Sequence, residues 1–284
     1  MTGRTVDVDI SGLGLRFEGL TPTLAEELHR QWPAFVRAQG VSPALVIRVE
    51  EDDRAMTPGR FMVGALQLEA AADAVRFRGD EGEIVQELPG ARAVARLARG
   101  AAGRRFWALV NLACAAVGWR LLARGGGAVH AAGVLVEKRA YLLVGPSGCG
   151  KTTWARTAAE AGLPVLSDDC VLVDSAEGSL MALGSPFRSK DFPSPGPGRW
   201  PVAAILLPQP AAEPSLAPVT RLMLEARIAA NLLFSAAAWD AHPAAGRAAG
   251  VIAAGAPART LAFRPDGSWI DIVATIEDVP DAPR

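Results

Sequence analysis

Cysteine is scarce in this 284-residue chain, which carries only Cys114, Cys149 and Cys170. Their spacing matches no zinc pattern, and three thiols make no even disulfide framework. A reducing, cytoplasmic setting is the expectation. Net charge is equally thin: 29 Lys and Arg against 30 Asp and Glu leave a formal −1. That balance lacks the basic footprint of a nucleic-acid binder. Long apolar runs are missing too. The most apolar segment, Phe106 to Ala123, is interrupted by Asn111 and Arg120; it falls short of a membrane span and predicts a buried helix. Met1-Thr2-Gly3-Arg4 shows no basic-then-apolar targeting pattern, so no membrane partner is expected. No internal repeat is evident. Half of the residues are hydrophobic, enough for a sizeable core in one large or two modest domains.

What the chain does have is a phosphate-loop motif. Ala140-Tyr141-Leu142-Leu143-Val144 reads as a strand and feeds Gly145-Pro146-Ser147-Gly148-Cys149-Gly150-Lys151-Thr152, a complete G-x-x-x-x-G-K-[ST]. The glycines let successive N–H groups turn into one concavity at a helix N-terminus, an anion nest. Lys151 is placed to reach β- and γ-phosphates, and the Thr152 hydroxyl to hold Mg²⁺. Thr153 opens the helix that runs on to Glu160 and stops near Ala161-Gly162. ATP and Mg²⁺ are therefore the expected ligands. Cys149, inside the loop, is a candidate oxidation-sensitive position.

A strand then runs from Pro164 to Leu166 into Ser167-Asp168-Asp169. About eleven helical residues rise roughly 16 Å, and a short strand returns a similar distance. With a right-handed crossover, Asp168 and Asp169 reach the same sheet edge as the phosphate loop. One carboxylate can orient Mg²⁺, and the other can take a proton from an attacking hydroxyl.

Together, Val129-His130-Ala131-Ala132-Gly133-Val134-Leu135-Val136, the phosphate loop and Leu166-Ser167-Asp168-Asp169 resemble the catalytic domain of HPr serine kinase/phosphorylase and its homologues. The resemblance covers roughly residues 125 to 175 well and the remainder more loosely. It implies an α/β fold: a P-loop kinase domain of the HPr kinase/PEP carboxykinase type over residues 101–284, with a smaller α+β domain over 1–100. It also implies roles. Asp168 would be the base, Asp169 and Thr152 would adjoin the metal, and His130 would lie near the transferred phosphoryl group. Sequence alone leaves open which aspartate takes which part. His29 and His242 lack such context and read as structural or surface residues.

The chain departs from that family downstream of the aspartates. Where HPr kinases carry a Glu-, Arg- and Gly-rich signature, Ala182 to Gly198 is a Pro- and Gly-rich loop, unable to continue a helix or strand. Its Arg188 and Lys190 are candidates to close over the γ-phosphate. The expected reaction is transfer of the γ-phosphoryl group of ATP to a hydroxyl, a serine of a protein or peptide first. A small-molecule kinase and a non-catalytic ATP-binding regulatory partner are the alternatives. The oligomeric state stays open, a homo-oligomer included.

Elsewhere, Val6 to Ile10 alternates like a strand, and Thr23 to Ala38 predicts a helix kinked or split at Pro33. Strands are expected at Ala44 to Val49, Phe61 to Leu68 and Ala74 to Arg78, with Glu50-Glu51-Asp52-Asp53 a solvated turn. Val202 to Leu207 predicts a buried strand. Leu222 to Ala238 and part of the stretch up to Ala254 read as helical. Pro265-Asp266-Gly267-Ser268 reads as a hairpin turn between strands at 261–264 and 269–273.

Overall fold

The computed structural model describes residues 3–37, 42–55, 66–176, 178–187, 191–192, 194–233, 243–264 and 266–276. They form a mixed α/β protein with large sheets, divided into two compact units. The described residues up to Arg120 belong to the first, and those from Leu121 onward to the second. The division falls inside a helix rather than near residue 100. No described helix is long and apolar enough to cross a membrane.

The first unit contains β1 (Arg4–Ile10), β2 (Leu13–Leu20), α1 (Pro22–Gln31), β3 (Val36–Arg37), β4 (Leu45–Ala55), β5 (Gln67–Ala70), β6 (Ala74–Gly79), β7 (Gly82–Glu87), β8 (Arg92–Arg99) and most of α2 (Ala102–Leu122). Its sheet runs β3-β1-β2-β4-β8-β7-β6-β5. The β1–β2 hairpin turns on Ser11 and Gly12, with φ of 54° and 93°, the pair of positive values that a tight two-residue turn needs. Alternation puts Val6, Val8 and Ile10 in the core, with Asp7 and Asp9 opposite. The helix expected to reach Ala38 stops at Gln31, two residues before Pro33, because its cap closes at Trp32. Glu50 to Asp53 is not a turn: it lies within β4, where Glu50 and Asp53 meet Arg96 and Arg99 of β8. Residues 61–65 of one expected strand lie outside the described residues. The segment around Phe106 is the buried helix that composition predicted, with Phe106, Leu109, Leu112 and Trp119 at 1% exposure or less.

The second unit contains β9 (Gly127–Val129), β10 (Ala131–Val136), β11 (Arg139–Val144), α3 (Lys151–Glu160), β12 (Val165–Ser167), β13 (Val171–Asp174), β14 (Met181–Leu183), β15 (Arg199–Pro210), β16 (Ser215–Pro218), α4 (Arg221–Asn231), α5 (Pro243–Ala254), β17 (Ala258–Phe263) and α6 (Trp269–Ala274). Its sheet runs β12-β10-β11-β15-β14-β13-β9, with β17 also beside β15 and β16 beside β17. β11, β15 and β17 are parallel neighbours. β10 is antiparallel to both β11 and β12, so β11 and β12 point the same way with one strand between them. No hairpin forms at 265–268: of these residues, the described 266–268 lead into α6. The Asp266 carboxylate accepts the Ser268 N–H at 3.0 Å, a side-chain turn that starts a helix rather than pairing strands.

Candidate functional site

Apolar β11 delivers the chain to the phosphate loop, and α3 carries it away. Gly148 and Gly150 take φ of 80° and 101°, left-handed values that a side chain would strain. Gly145 is needed for close approach: a Cβ there would lie 2.7 Å from Cys149 Sγ and 2.8 Å from Pro208 Cγ. Pro146, Ser147 and Gly148 are exposed, while Cys149 and Gly150 are half-buried. The first amides of α3 have no partner inside the helix. At its other end α3 closes on Gly162, whose N–H reaches Ala159 O while that of Leu163 reaches Ala158 O.

Lys151 turns back into the loop. Its Nζ donates to Gly145 O at 2.8 Å and Pro146 O at 2.9 Å, with Cys149 Sγ at 4.0 Å. Burial holds the ammonium pKa below its ordinary value, partly offset by Cys149, Asp169 and Asp168. Thr152, one residue on, is exposed and lies beside Asp168, whose pKa it draws down; half-buried Thr153 follows.

The two aspartates differ sharply. Asp168 is 7% exposed, and its Oδ1 is buried with no hydrogen-bond partner. Burial pushes its carboxyl pKa up against the lowering influence of neighbouring Thr152, and the nearby charges of Asp169 and Asp191 add to the rise. The Asp169 side chain is 65% exposed and pairs with His130. His130, between β9 and β10, places Nδ1 3.0 Å from Asp169 Oδ1 and 2.9 Å from Asp169 O. Both neighbours are acceptors, so Nδ1 carries the proton and Nε2 is left for another partner. The bond from His130 holds the Asp169 pKa below the usual carboxylate range.

The structure therefore brings together the loop from Gly145 to Thr153, Asp168, Asp169 and His130. Arg188 and Lys190 lie outside the described residues, as does His242. His29 is exposed, with Nδ1 2.8 Å from Ala25 O within α1. Other groups supporting the site escaped the sequence. Buried Ser167 accepts the N–H groups of Asp169 and Cys170 at 3.2 and 3.0 Å and so shapes the turn bearing both carboxylates. A serine ahead of two aspartates is a readable turn signal. Asn231 O, at the end of α4, accepts the His130 N–H at 2.7 Å, and nothing in local sequence announces that long-range bond.

The donors present fit a hard divalent cation. Thr152 and Asp168 offer oxygens, and Oδ1 lacks a partner of its own. Among the described residues no three His, Cys, Asp or Glu side chains form a cage. A metal held here would need further oxygens from a phosphate, the manner in which Mg²⁺ is usually bound. Comparison with known proteins adds no relative: no protein-family model matches the chain, and no curated protein matches it.

Proposed function

We propose that the protein is an ATP-dependent phosphotransferase with a P-loop kinase domain similar to that of HPr kinase. It moves a γ-phosphoryl group onto a hydroxyl, a serine of a protein or peptide first. The observation that carries this reading is the gathering of Lys151, Thr152, Asp168 and the His130–Asp169 pair at one sheet edge. The loop amides and Lys151 bind the β- and γ-phosphates. Thr152 and Asp168 would hold Mg²⁺, which would supply positive charge against the developing phosphate charge.

Environment separates the carboxylates. Asp168, buried beside Thr152, suits the metal, and exposed Asp169 suits the incoming hydroxyl. This reverses the roles first drawn from the resemblance. Asp169 takes the hydroxyl proton while His130 fixes its carboxylate. The hydroxyl oxygen then bonds to the γ-phosphorus as the bond to the bridging oxygen breaks and ADP departs.

Incubating pure protein with γ-labelled ATP and a cell extract tests the reading. Label on a polypeptide serine supports it, and label on a small molecule makes the protein a metabolite kinase. Mg·ATP binding without any transfer leaves an ATP-binding regulatory role. Failure to bind Mg·ATP removes the phosphate-loop reading altogether.

A further inference from the structure

Phosphoryl transfer uses one flank of the phosphate loop, and the other flank is built as well. β12 brings the aspartates to the β10 side of β11, while β15 and β17 end on the opposite side. Register aligns Leu143 with Leu206, and Pro208 with Leu261, so these parallel strands finish at one edge. Two side chains from them press on the loop. Pro208 meets the Gly145 backbone, and Phe263 Cζ lies 3.4 Å from where a Gly150 Cβ would stand.

Arg264 follows Phe263 at the mouth of that flank. Its side chain is 56% exposed, and its guanidinium pairs with Asp266. Asp266 is itself held by the Ser268 N–H and hydroxyl. The arginine thus has an anchor and an open face.

A nucleoside triphosphate is a chain with two distinct ends. If the γ-phosphate faces Thr152, Asp168 and Asp169, the nucleoside must leave across the β15–β17 flank. We propose that Phe263, Arg264, Asp266 and Ser268 form the nucleoside wall of this site, with the Arg264 guanidinium stacked on the base. The inference rests on the kinase reading above. A planar guanidinium is suited to the task, since nucleobases stack on arginine planes as they do on aromatic rings.

Binding of Mg·ATP and of inorganic tripolyphosphate, measured by calorimetry on the full chain, tests the proposal. Arg264→Ala should weaken Mg·ATP about tenfold and leave tripolyphosphate unchanged. Arg264→Lys, which keeps the charge and loses the plane, should behave like the alanine variant. Lys151→Ala serves as the contrast and should weaken both ligands. Unchanged ATP affinity in Arg264→Ala overturns the proposal. So does equal loss of both ligands, because Arg264 would then be a phosphate contact. Full affinity in Arg264→Lys overturns the stacking. A wild-type protein that binds neither ligand refutes the phosphate-loop reading itself, a result distinct from the others.

Discussion

A row of carboxylates in the first unit's sheet is answered by arginines, and those at the phosphate-loop edge of the second unit are not. Across β4, β8, β7, β6 and β5 runs a ladder of ion pairs: Arg48–Glu50 at 3.3 Å, Glu50–Arg96 at 3.3 Å, Arg96–Glu83 at 3.2 Å, Glu83–Arg76 at 3.9 Å and Arg76–Glu69 at 3.6 Å. Asp7 has its own guanidinium, Arg16, at 2.8 Å. The second unit can do the same: fully buried Asp174 sits between Arg124 at 2.6 Å and Arg199 at 3.1 Å. Asp168 is nearly as buried, yet one of its oxygens has no partner. A buried oxygen left bare costs about 1–3 kcal/mol, more if charged. The comparison teaches that fold-holding carboxylates arrive with their cations, whereas Asp168 keeps a bare oxygen at the proposed metal position.

The largest effect that would break this contrast is on chemistry. Asp169→Asn should lower phosphoryl transfer by about two to four orders of magnitude while Mg·ATP affinity holds. Asp168→Asn should instead raise the Mg²⁺ concentration needed for turnover. Steady-state kinetics across a Mg²⁺ series separate the two, and the opposite pattern would exchange their roles.

Next in size is a pure stability effect. Asp174→Ala leaves Arg124 and Arg199 without their shared anion and should destabilise the second unit by about 3–5 kcal/mol, read from a denaturant melt. A loss below about 1 kcal/mol would mean that burial overstates this pair.

A smaller effect concerns acid. The hydrogen bond from Arg16 holds the Asp7 pKa below its ordinary value. Its stabilisation is therefore complete above the unfolded pKa, about 4, and is lost as pH falls through the lower folded value. Denaturation midpoints between pH 6 and 2 should decline for the wild type over that window. Asp7→Asn should lack this component of the decline. Smallest of all, Arg96→Ala removes a side chain 42% exposed at the middle of the ladder and should cost no more than about 1 kcal/mol. A greater loss would make the ladder a cooperative network rather than a solvated face.

Much of the second unit was legible because its signals are local. The apolar run of β11, the glycines of the loop and Gly162 at the end of α3 each state their conformation in a few residues. The apolar stretch of α2 and that of β15 were equally plain. Where the sequence misleads about the strands, the cause is a partner distant in the chain. Glu50 to Asp53 resembles a solvated turn until Arg96 and Arg99 of β8 pair with it. β7 and β8 show no clear strand signal in the sequence because their apolar side chains are interleaved with charges that only neighbouring strands neutralise. At 265–268 the dipeptide signals of a hairpin gave way to the Asp266 carboxylate binding Ser268. In the candidate site, residue types were evident, but the proposed division of labour between Asp168 and Asp169 rests on burial and on the His130–Asp169 pairing, which no spacing encodes.

Below the phosphate loop, Trp154 of α3 and Trp269 of α6 lie with ring centroids 4.6 Å apart and planes 35° from parallel. Both are fully buried, and the Trp269 Nε1–H donates to Thr157 Oγ1 at 2.9 Å. Two indoles this close and rigidly skewed share their electronic excitation, so the pair acts as one chiral chromophore only two residues from Thr152. The molecule thus contains its own optical gauge. Any ligand that shifts the first turn of α3 alters the coupling, and circular dichroism registers the change without a label.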